Sequence, residues 1–180
     1  NRDVYIYSQP KIRIKDFFIK ALLVNNYQDG QISLNVNLMN HEYVDNVRSI
    51  TFEVLNNAGE VIVQDTKEVN ALRGTISKID FESVIKNVNH WSAEIPNLYT
   101  LLIYLKTNEG QIEEIVPTKI GFRTVEIKGG QLLVNGEPIL FKGVNLHELN
   151  PLTGQVINED LMMKDIKTMK RLNVNAVRTS

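Results

Sequence analysis

Ile32-Ser33-Leu34-Asn35-Val36-Asn37-Leu38 alternates apolar and polar side chains without a break. Successive side chains of a β-strand point to opposite faces, so this stretch sets one face on a core and the other in water. The same alternation returns at Ile50, Phe52 and Val54, with Thr51 and Glu53 between them. Further strand candidates are Lys11–Val24, Glu60–Thr66, Thr75–Phe81, Tyr99–Lys106 and Gln111–Thr118. Turn-forming clusters separate them: Asn25–Gly30, Asn56-Asn57-Ala58-Gly59 and Thr107-Asn108-Glu109-Gly110. About seven short strands in roughly 120 residues, with no helix among them, predict an antiparallel sandwich of immunoglobulin type. A small open barrel is the alternative closure. No internal repeat and no low-complexity segment interrupts the pattern.

The pattern changes after residue 126. Gln131–Val134 and Pro138–Phe141 flank Asn135-Gly136, the strongest short hairpin signal, because both central positions of a type I′ turn need φ > 0. Ile139–Leu146 reads as a strand. Asn158 to Asn173 reads as a helix that Asn158 caps, with Glu159 and Asp160 at its positive end and Lys170 and Arg171 at its negative end. Met162, Ile166, Met169 and Leu172 fall at helical spacing and predict its buried stripe. Val174–Arg178 reads as a second strand. Strand, helix, strand in this order predicts a βαβ unit with parallel strands and a right-handed crossover. Two strands and one helix cannot cover both faces of a parallel sheet. The chain therefore reads as a piece of a longer protein, cut inside an α/β domain.

Composition excludes several classes of function. The 180 residues carry 20 Lys and Arg against 21 Asp and Glu, a formal net charge of −1. That balance argues against a general electrostatic grip on nucleic acid or on an anionic membrane. The longest apolar run is Leu101–Leu105, far short of the about 20 residues of a membrane-spanning helix. With no Cys there is no disulfide, no thiolate metal site and no Cys nucleophile. The compartment stays open between cytoplasm and periplasm.

Few residues are placed for chemistry. His147-Glu148 lies just past the first parallel strand. A zinc protease needs His-Glu-x-x-His on a helix, and Pro151 holds the last of those positions. His41-Glu42 fails likewise at Asp45. Ligands of open α/β sheets and of α/β barrels bind at the carboxyl ends of the strands, where His147 and Arg178 both fall. Together they can donate hydrogen bonds to hydroxyls or orient a carboxylate. Gly129-Gly130, Gly136 and Gly143 read as turn residues, since no Gly-rich loop leads directly into a helix. Trp91 with Tyr99 could stack a sugar, but a core Trp is the plainer reading. Met162, Met163 and Met169 read as core filler.

Several motifs together resemble the family 2 glycoside hydrolases. Trp91-Ser92-Ala93-Glu94-Ile95-Pro96-Asn97-Leu98-Tyr99 is similar to the segment before the last strands of their immunoglobulin-like domain. Ile120-Gly121-Phe122-Arg123 is similar to the junction into their catalytic barrel. Leu133-Val134-Asn135-Gly136-Glu137-Pro138-Ile139 matches the hairpin that opens the barrel, and Gly143-Val144-Asn145-Leu146-His147-Glu148 matches its first strand and the loop beyond. Asn175-Ala176-Val177-Arg178-Thr179-Ser180 matches the start of a signature that continues His-Tyr-Pro in the family. Within the family, the His147 loop with Pro151-Leu152-Thr153-Gly154-Gln155 looks most like the β-galactosidases. The β-glucuronidases share the Asn-Gly hairpin, the Gly-Val-Asn strand and the Arg-Thr-Ser end.

The resemblance implies a mostly β chain: an immunoglobulin-like sandwich over residues 1–126, then residues 127–180 as the truncated first βαβ unit of a (β/α)8 TIM barrel. It implies a retaining hydrolase of β-galactosides, with two catalytic Glu residues at later strand ends of the barrel. No carboxylate of this chain, Glu148 included, takes either role, so the chain alone is expected to be inactive. His147 matches a family histidine that contacts the sugar and favours the transition state. Arg178 matches the arginine that pairs with the nucleophile. The family's β-galactosidases use Mg2+ and often Na+, and no metal site falls in this stretch. A homo-oligomer is expected, with a sugar substrate and neither nucleic acid nor membrane as partner. The competing non-enzymatic reading makes the sandwich itself a carbohydrate- or partner-binding module.

Overall fold

Strand β2 (Asp29–Asn40) follows the alternation that begins at Ile32: Ile32, Val36 and Leu38 are 0% exposed and Leu34 is 1% exposed, while the residues between them face outward. The computed structural model describes residues 4–179. Ser8–Glu137 form one compact unit, and the described residues outside that range form a second.

The first unit is an immunoglobulin-like sandwich of two antiparallel sheets. Strands β1 (Ile12–Val24), β2 and β5 (Ile76–Ile85) form one sheet in the order β1-β2-β5. Strands β3 (Asn46–Leu55), β4 (Val61–Ala71), β6 (Tyr99–Thr107) and β7 (Ile112–Ile120) form the other, in the order β4-β3-β6-β7. No hydrogen-bonded strand pair joins the two sheets among the described residues, so the unit is a sandwich and not a barrel. Inward residues of β2 and β5 meet those of β3 and β6 in one apolar core. Phe52 and Phe81 touch edge to face there, with ring centroids 5.2 Å apart.

Two strands run further than their apolar pattern predicts. β4 continues through Lys67-Glu68 to Ala71, because Val69 and Ala71 still point inward and the segment pairs with Asn46–Ile50. β5 continues to Ile85, paired with Gly30. The β1–β2 turn is unusual. Asn25, Asn26 and Tyr27 all have φ between 52° and 63°, a region costly for a residue as bulky as Tyr. Asp29 anchors this turn. Its carboxylate accepts from Lys86 Nζ at 2.7 Å, from Asn25 Nδ2 at 2.8 Å and from the Asn87 backbone N–H at 3.1 Å.

A small sheet follows the sandwich. β8 (Val125–Lys128), β9 (Gln131–Val134) and the two-residue β10 (Glu137–Pro138) pair in the order β10-β9-β8. Both of its turns are two-residue turns with positive φ throughout, at Gly129-Gly130 and at Asn135-Gly136.

The second unit holds β11 (Gly143–Leu146), α1 (Glu159–Arg171) and β12 (Ala176–Thr179), with β11 and β12 paired in parallel as the first βαβ of a barrel requires. Asn158 Oδ1 accepts from Leu161 N–H at 3.0 Å and caps the helix. The helix ends in a Schellman motif: Asn173 takes φ of 58°, its N–H donates to Lys170 O, and Val174 N–H donates to Met169 O. That motif consumes Val174, so the second strand starts at Ala176 rather than at Val174. β11 likewise begins only at Gly143, opposite Ala176, and not at Ile139. Gly143 is therefore a strand residue, not a turn residue.

The expected buried stripe of α1 is not buried. Met162, Ile166 and Leu172 are 43%, 53% and 72% exposed, and no residue of the helix is buried. Two short strands present too little surface to cover an apolar helix face.

Three hydrogen bonds hold the Asp29 carboxyl at a pKa of about 2, below its ordinary 3.8, the Lys86 contact being the largest cause. A carboxyl depressed by folding stabilises the fold above its unfolded value and loses that contribution as pH falls through the folded value. Asp29→Asn is therefore expected to lower the urea midpoint at pH 7. The gap to the parent should close between about pH 4 and pH 2, read as urea midpoints across that range.

Candidate active-site strand ends

The parallel register of β11 and β12 decides what can meet at their ends. Gly143 pairs with Ala176, Val144 with Val177, Asn145 with Arg178 and Leu146 with Thr179. Both strands run the same way, so their carboxyl ends share one edge of the pair. His147 is the first residue past that edge on β11, and Arg178 lies one residue inside it on β12. Paired residues of parallel strands project to the same face, and so do residues two apart on one strand. Asn145 and Arg178 therefore share a face, and the strand's period carries His147 toward that face. All three are exposed.

Asn145 carries no sequence motif that marks it as a site residue on its own. It stands two residues before His147 in sequence, but only the parallel register sets it opposite Arg178. A carboxamide and a guanidinium thus stand in register on one face of the strand pair, with the His147 imidazole one residue past its end.

Local contacts shape both strand ends. Leu149 N–H donates to His147 O at 2.8 Å. Asn150 and Gly154 exchange backbone hydrogen bonds at 2.8 and 2.9 Å, and Asn150 Oδ1 accepts from Leu152 N–H at 2.8 Å. At the other end of the strand pair, Asn175 Oδ1 accepts from Lys142 N–H at 2.8 Å, its Nδ2 donates to Leu140 O at 2.9 Å, and its N–H donates to Lys142 O at 3.0 Å. One asparagine thus fixes the register on which the Asn145–Arg178 pairing depends.

Other residues singled out by sequence have structural places. Trp91 is not a core residue. It is half-buried, and the Arg123 guanidinium lies 4.7 Å from its ring centroid. Tyr99 is buried in the core, edge to face with Phe122 at 5.2 Å, so Trp91 and Tyr99 form no exposed stacking pair. Glu42 sits in the β2–β3 turn, where its N–H donates to Asn40 Oδ1 and its carboxylate accepts from Asn46 Nδ2. Among the described residues no three His, Asp or Glu side chains cluster as metal ligands would.

Asn135 ties the hairpin to the sandwich. Its Oδ1 accepts from Thr124 N–H at 3.0 Å, its Nδ2 donates to Trp91 O at 3.0 Å, and its N–H donates to Thr124 O at 2.9 Å. Thr124 Oγ1 in turn accepts from Leu23 N–H and donates to Leu23 O. At Gly136, with φ of 83°, an added Cβ would stand 2.7 Å from the Tyr27 ring. The Tyr27 hydroxyl bonds the Glu126 carboxylate, which pushes the phenol's pKa up. The costly left-handed backbone of Tyr27 is thus held by its partners on the hairpin.

Two family profiles cover this architecture. "Glycosyl hydrolases family 2" matches residues 12–123, and "Glycosyl hydrolases family 2, TIM barrel domain" matches residues 125–180. The chain belongs to glycosyl hydrolase family 2. It is 42% identical to a β-galactosidase of Priestia megaterium and 39% identical to one of Streptococcus thermophilus, in each case over 99% of this chain. It spans 18% and 17% of those relatives, so it corresponds to less than a fifth of their length. Among solved structures, a β-glucuronidase of Parabacteroides merdae superposes with a TM-score of 0.80 at 24% identity, covering 95% of this chain and 21% of that one. A family 2 member from Bacteroides cellulosilyticus reaches a TM-score of 0.88 at 16% identity, covering 96% and 24%. Likeness at such identities establishes the fold and leaves the substrate undecided.

Removing the Asn135 carboxamide strands the Thr124 N–H and the Trp91 carbonyl and leaves a β-carbon residue at positive φ. Asn135→Ala is expected to cost about 1–3 kcal/mol in urea unfolding. Trp91 is the only tryptophan, so its fluorescence should change in the native baseline as well as at the transition.

Proposed function

We propose that this chain is the sandwich and barrel start of a retaining β-galactosidase, with the division between them near residue 126. The observation that carries the substrate is the 42% identity to the Priestia megaterium β-galactosidase along nearly the whole chain. A β-glucuronidase is the second reading, supported by the P. merdae fold likeness.

Retaining hydrolysis needs two carboxyl groups about 5–5.5 Å apart, one as acid/base and one as nucleophile. In this reading both come from barrel strands beyond this chain, so the chain alone turns over nothing. His147 donates a hydrogen bond to a ring hydroxyl, and that bond tightens as positive charge develops at the anomeric carbon. Arg178 faces the nucleophile. Its fork holds that carboxylate ionised and aimed at the anomeric carbon, lowering the carboxylate's pKa by direct charge. Asn145, in register with Arg178, adds a carboxamide to the same face. Mg2+ and Na+ are implied by the family for the whole enzyme. No clustered carboxylate or imidazole donors among the described residues fit either ion, and no step here runs through one. The whole enzyme is a homo-oligomer of the cytoplasm or periplasm in this reading. Among the described residues no helix is long and apolar enough to cross a membrane.

In the full-length enzyme carrying this chain, kcat/KM on nitrophenyl β-galactoside is expected to exceed that on the β-glucuronide. The reverse order establishes the second reading. His147→Ala is expected to lower kcat on the order of a hundredfold with a smaller change in KM, as for a bond made mainly in the transition state. Arg178→Gln removes the cation beside the nucleophile, so the nucleophile's pKa rises and the acid limb of the kcat/KM profile moves to higher pH. An acid limb that stays in place removes Arg178 from that role.

A further inference from the structure

A cleft of about 190 Å³ opens at one end of the sandwich, between the β3–β4 turn and the segment leading into β6. Asn57, Asn89, Asn97, Leu98 and Tyr99 line it, with Asn56 and Ala58 of the turn. No lining residue carries a formal charge. An apolar cavity of about 150 Å³ accepts benzene, so this cleft has room for a six-membered ring.

Hydrogen bonding leaves the lining under-used. Asn56 serves the turn: its Oδ1 accepts from Ala58 and Glu60 N–H, and its Nδ2 donates to Glu60 Oε2 at 2.8 Å. Asn97 Nδ2 donates to His90 O at 2.9 Å, which leaves its Oδ1 open. The side-chain amides of Asn57 and Asn89 make no hydrogen bond to any described residue. Tyr99 is the telling member. It is 8% exposed, and its hydroxyl accepts from Asn89 N–H at 2.8 Å. The proton of that hydroxyl has no acceptor among the described residues. Because Tyr99 lines the cleft, an acceptor that enters it can take that proton.

We infer that this cleft is a binding site for a neutral pyranoside. Phosphate and carboxylate ligands call for a cation, and metal ions call for carboxylates; the cleft supplies neither. Vicinal hydroxyls each donate and accept, and a carboxamide matches such a pair with one N–H and one C=O. Leu98, 38% exposed, offers an apolar wall to the C–H face of the ring, and Tyr99 donates to a ring hydroxyl or to the ring oxygen. The site lies wholly within the sandwich and does not rest on the reading of the barrel, so loss of hydrolysis or a changed glycoside preference leaves it untouched.

The test is a titration of the 15N-labelled 180-residue chain with methyl β-galactoside and, separately, with glucuronate, followed by amide NMR. Methyl β-galactoside is expected to shift the side-chain amide signals of Asn57, Asn89 and Asn97 and the backbone signal of Tyr99. The shifts should saturate with Kd on the order of 1 mM, as suits a ligand of this size. Glucuronate should bind at least several-fold more weakly. Asn57→Ala, on an exposed turn, should weaken binding at least threefold without altering the rest of the spectrum. Tyr99→Phe should do the same where its spectrum shows the fold intact. Shifts that stay linear to 100 mM, saturable shifts confined to other residues, equal or tighter glucuronate binding, or an Asn57→Ala titration matching the parent would each overturn the assignment.

Discussion

The two sheets of the sandwich hold each other through a layer of side chains that no single sheet could bury. Phe81 on β5 meets Phe52 on β3 across that layer, ring edge to ring face. Ile32, Leu34, Val36 and Leu38 fill it from one sheet, and Ile50, Val54, Leu101, Ile103 and Leu105 fill it from the other. Each large aliphatic side chain buried there contributes roughly 1.5–3 kcal/mol, which is the source of the cohesion. The constraint is strict because strand side chains have period two. A slip of one residue would turn every one of them into water. Close approach follows from it: an added Cβ at Gly30 would stand 2.6 Å from the Phe122 ring, so the core closes only because that position is bare.

Phe122 links this core to what comes after. Its ring packs on Tyr99, and its carbonyl accepts from Trp91 N–H at 2.9 Å. Thr124 then bonds Leu23 by its hydroxyl and Asn135 by its backbone, and Asn135 returns to Trp91. The segment of β8 to β10 is thereby tied to the sandwich by hydrogen bonds, with Leu133 of β9 as its one buried apolar side chain among the described residues. Outside ties suit so small a sheet, whose strands are two to four residues long. The left-handed Tyr27 persists for the same reason: its ring rests on Gly136 and its hydroxyl on Glu126.

In the second unit, polar contacts do what the core does in the first. Asn158 starts the helix, Asn173 stops it, and Asn175 sets the pairing of β11 with β12. Each acts through local geometry that a few residues can satisfy alone. The apolar stripe of α1 has no such local solution. Helix packing onto a parallel sheet needs several strands side by side, and here there are two. Local order is thus complete in this unit before its hydrophobic burial is.

What residue order alone determined is what depends on short-range periodicity and stereochemistry. The alternation at Ile32 and Ile50, with five further apolar stretches and the turn clusters between them, sufficed for seven strands, Asn135-Gly136 for a tight turn, and Asn158 with Glu159 and Asp160 for a helix start. The family motifs carried the expectation of a barrel after a sandwich. Tertiary structure decided the rest, for reasons of distance. β4 runs past its last strongly apolar stretch because Asn46–Ile50 lie beside it, and no local pattern encodes a partner about 20 residues away. Trp91 lies at the junction instead of the core because Arg123 and Asn135 converge on it from positions about 30 and 45 residues later. His147 and Arg178 stand at one strand edge because Asn175 fixes the register, and Asn145 joins them only through that register. Which residues are strands is settled by neighbours two positions apart. Which residues meet is settled by contacts that the chain makes only after folding back on itself.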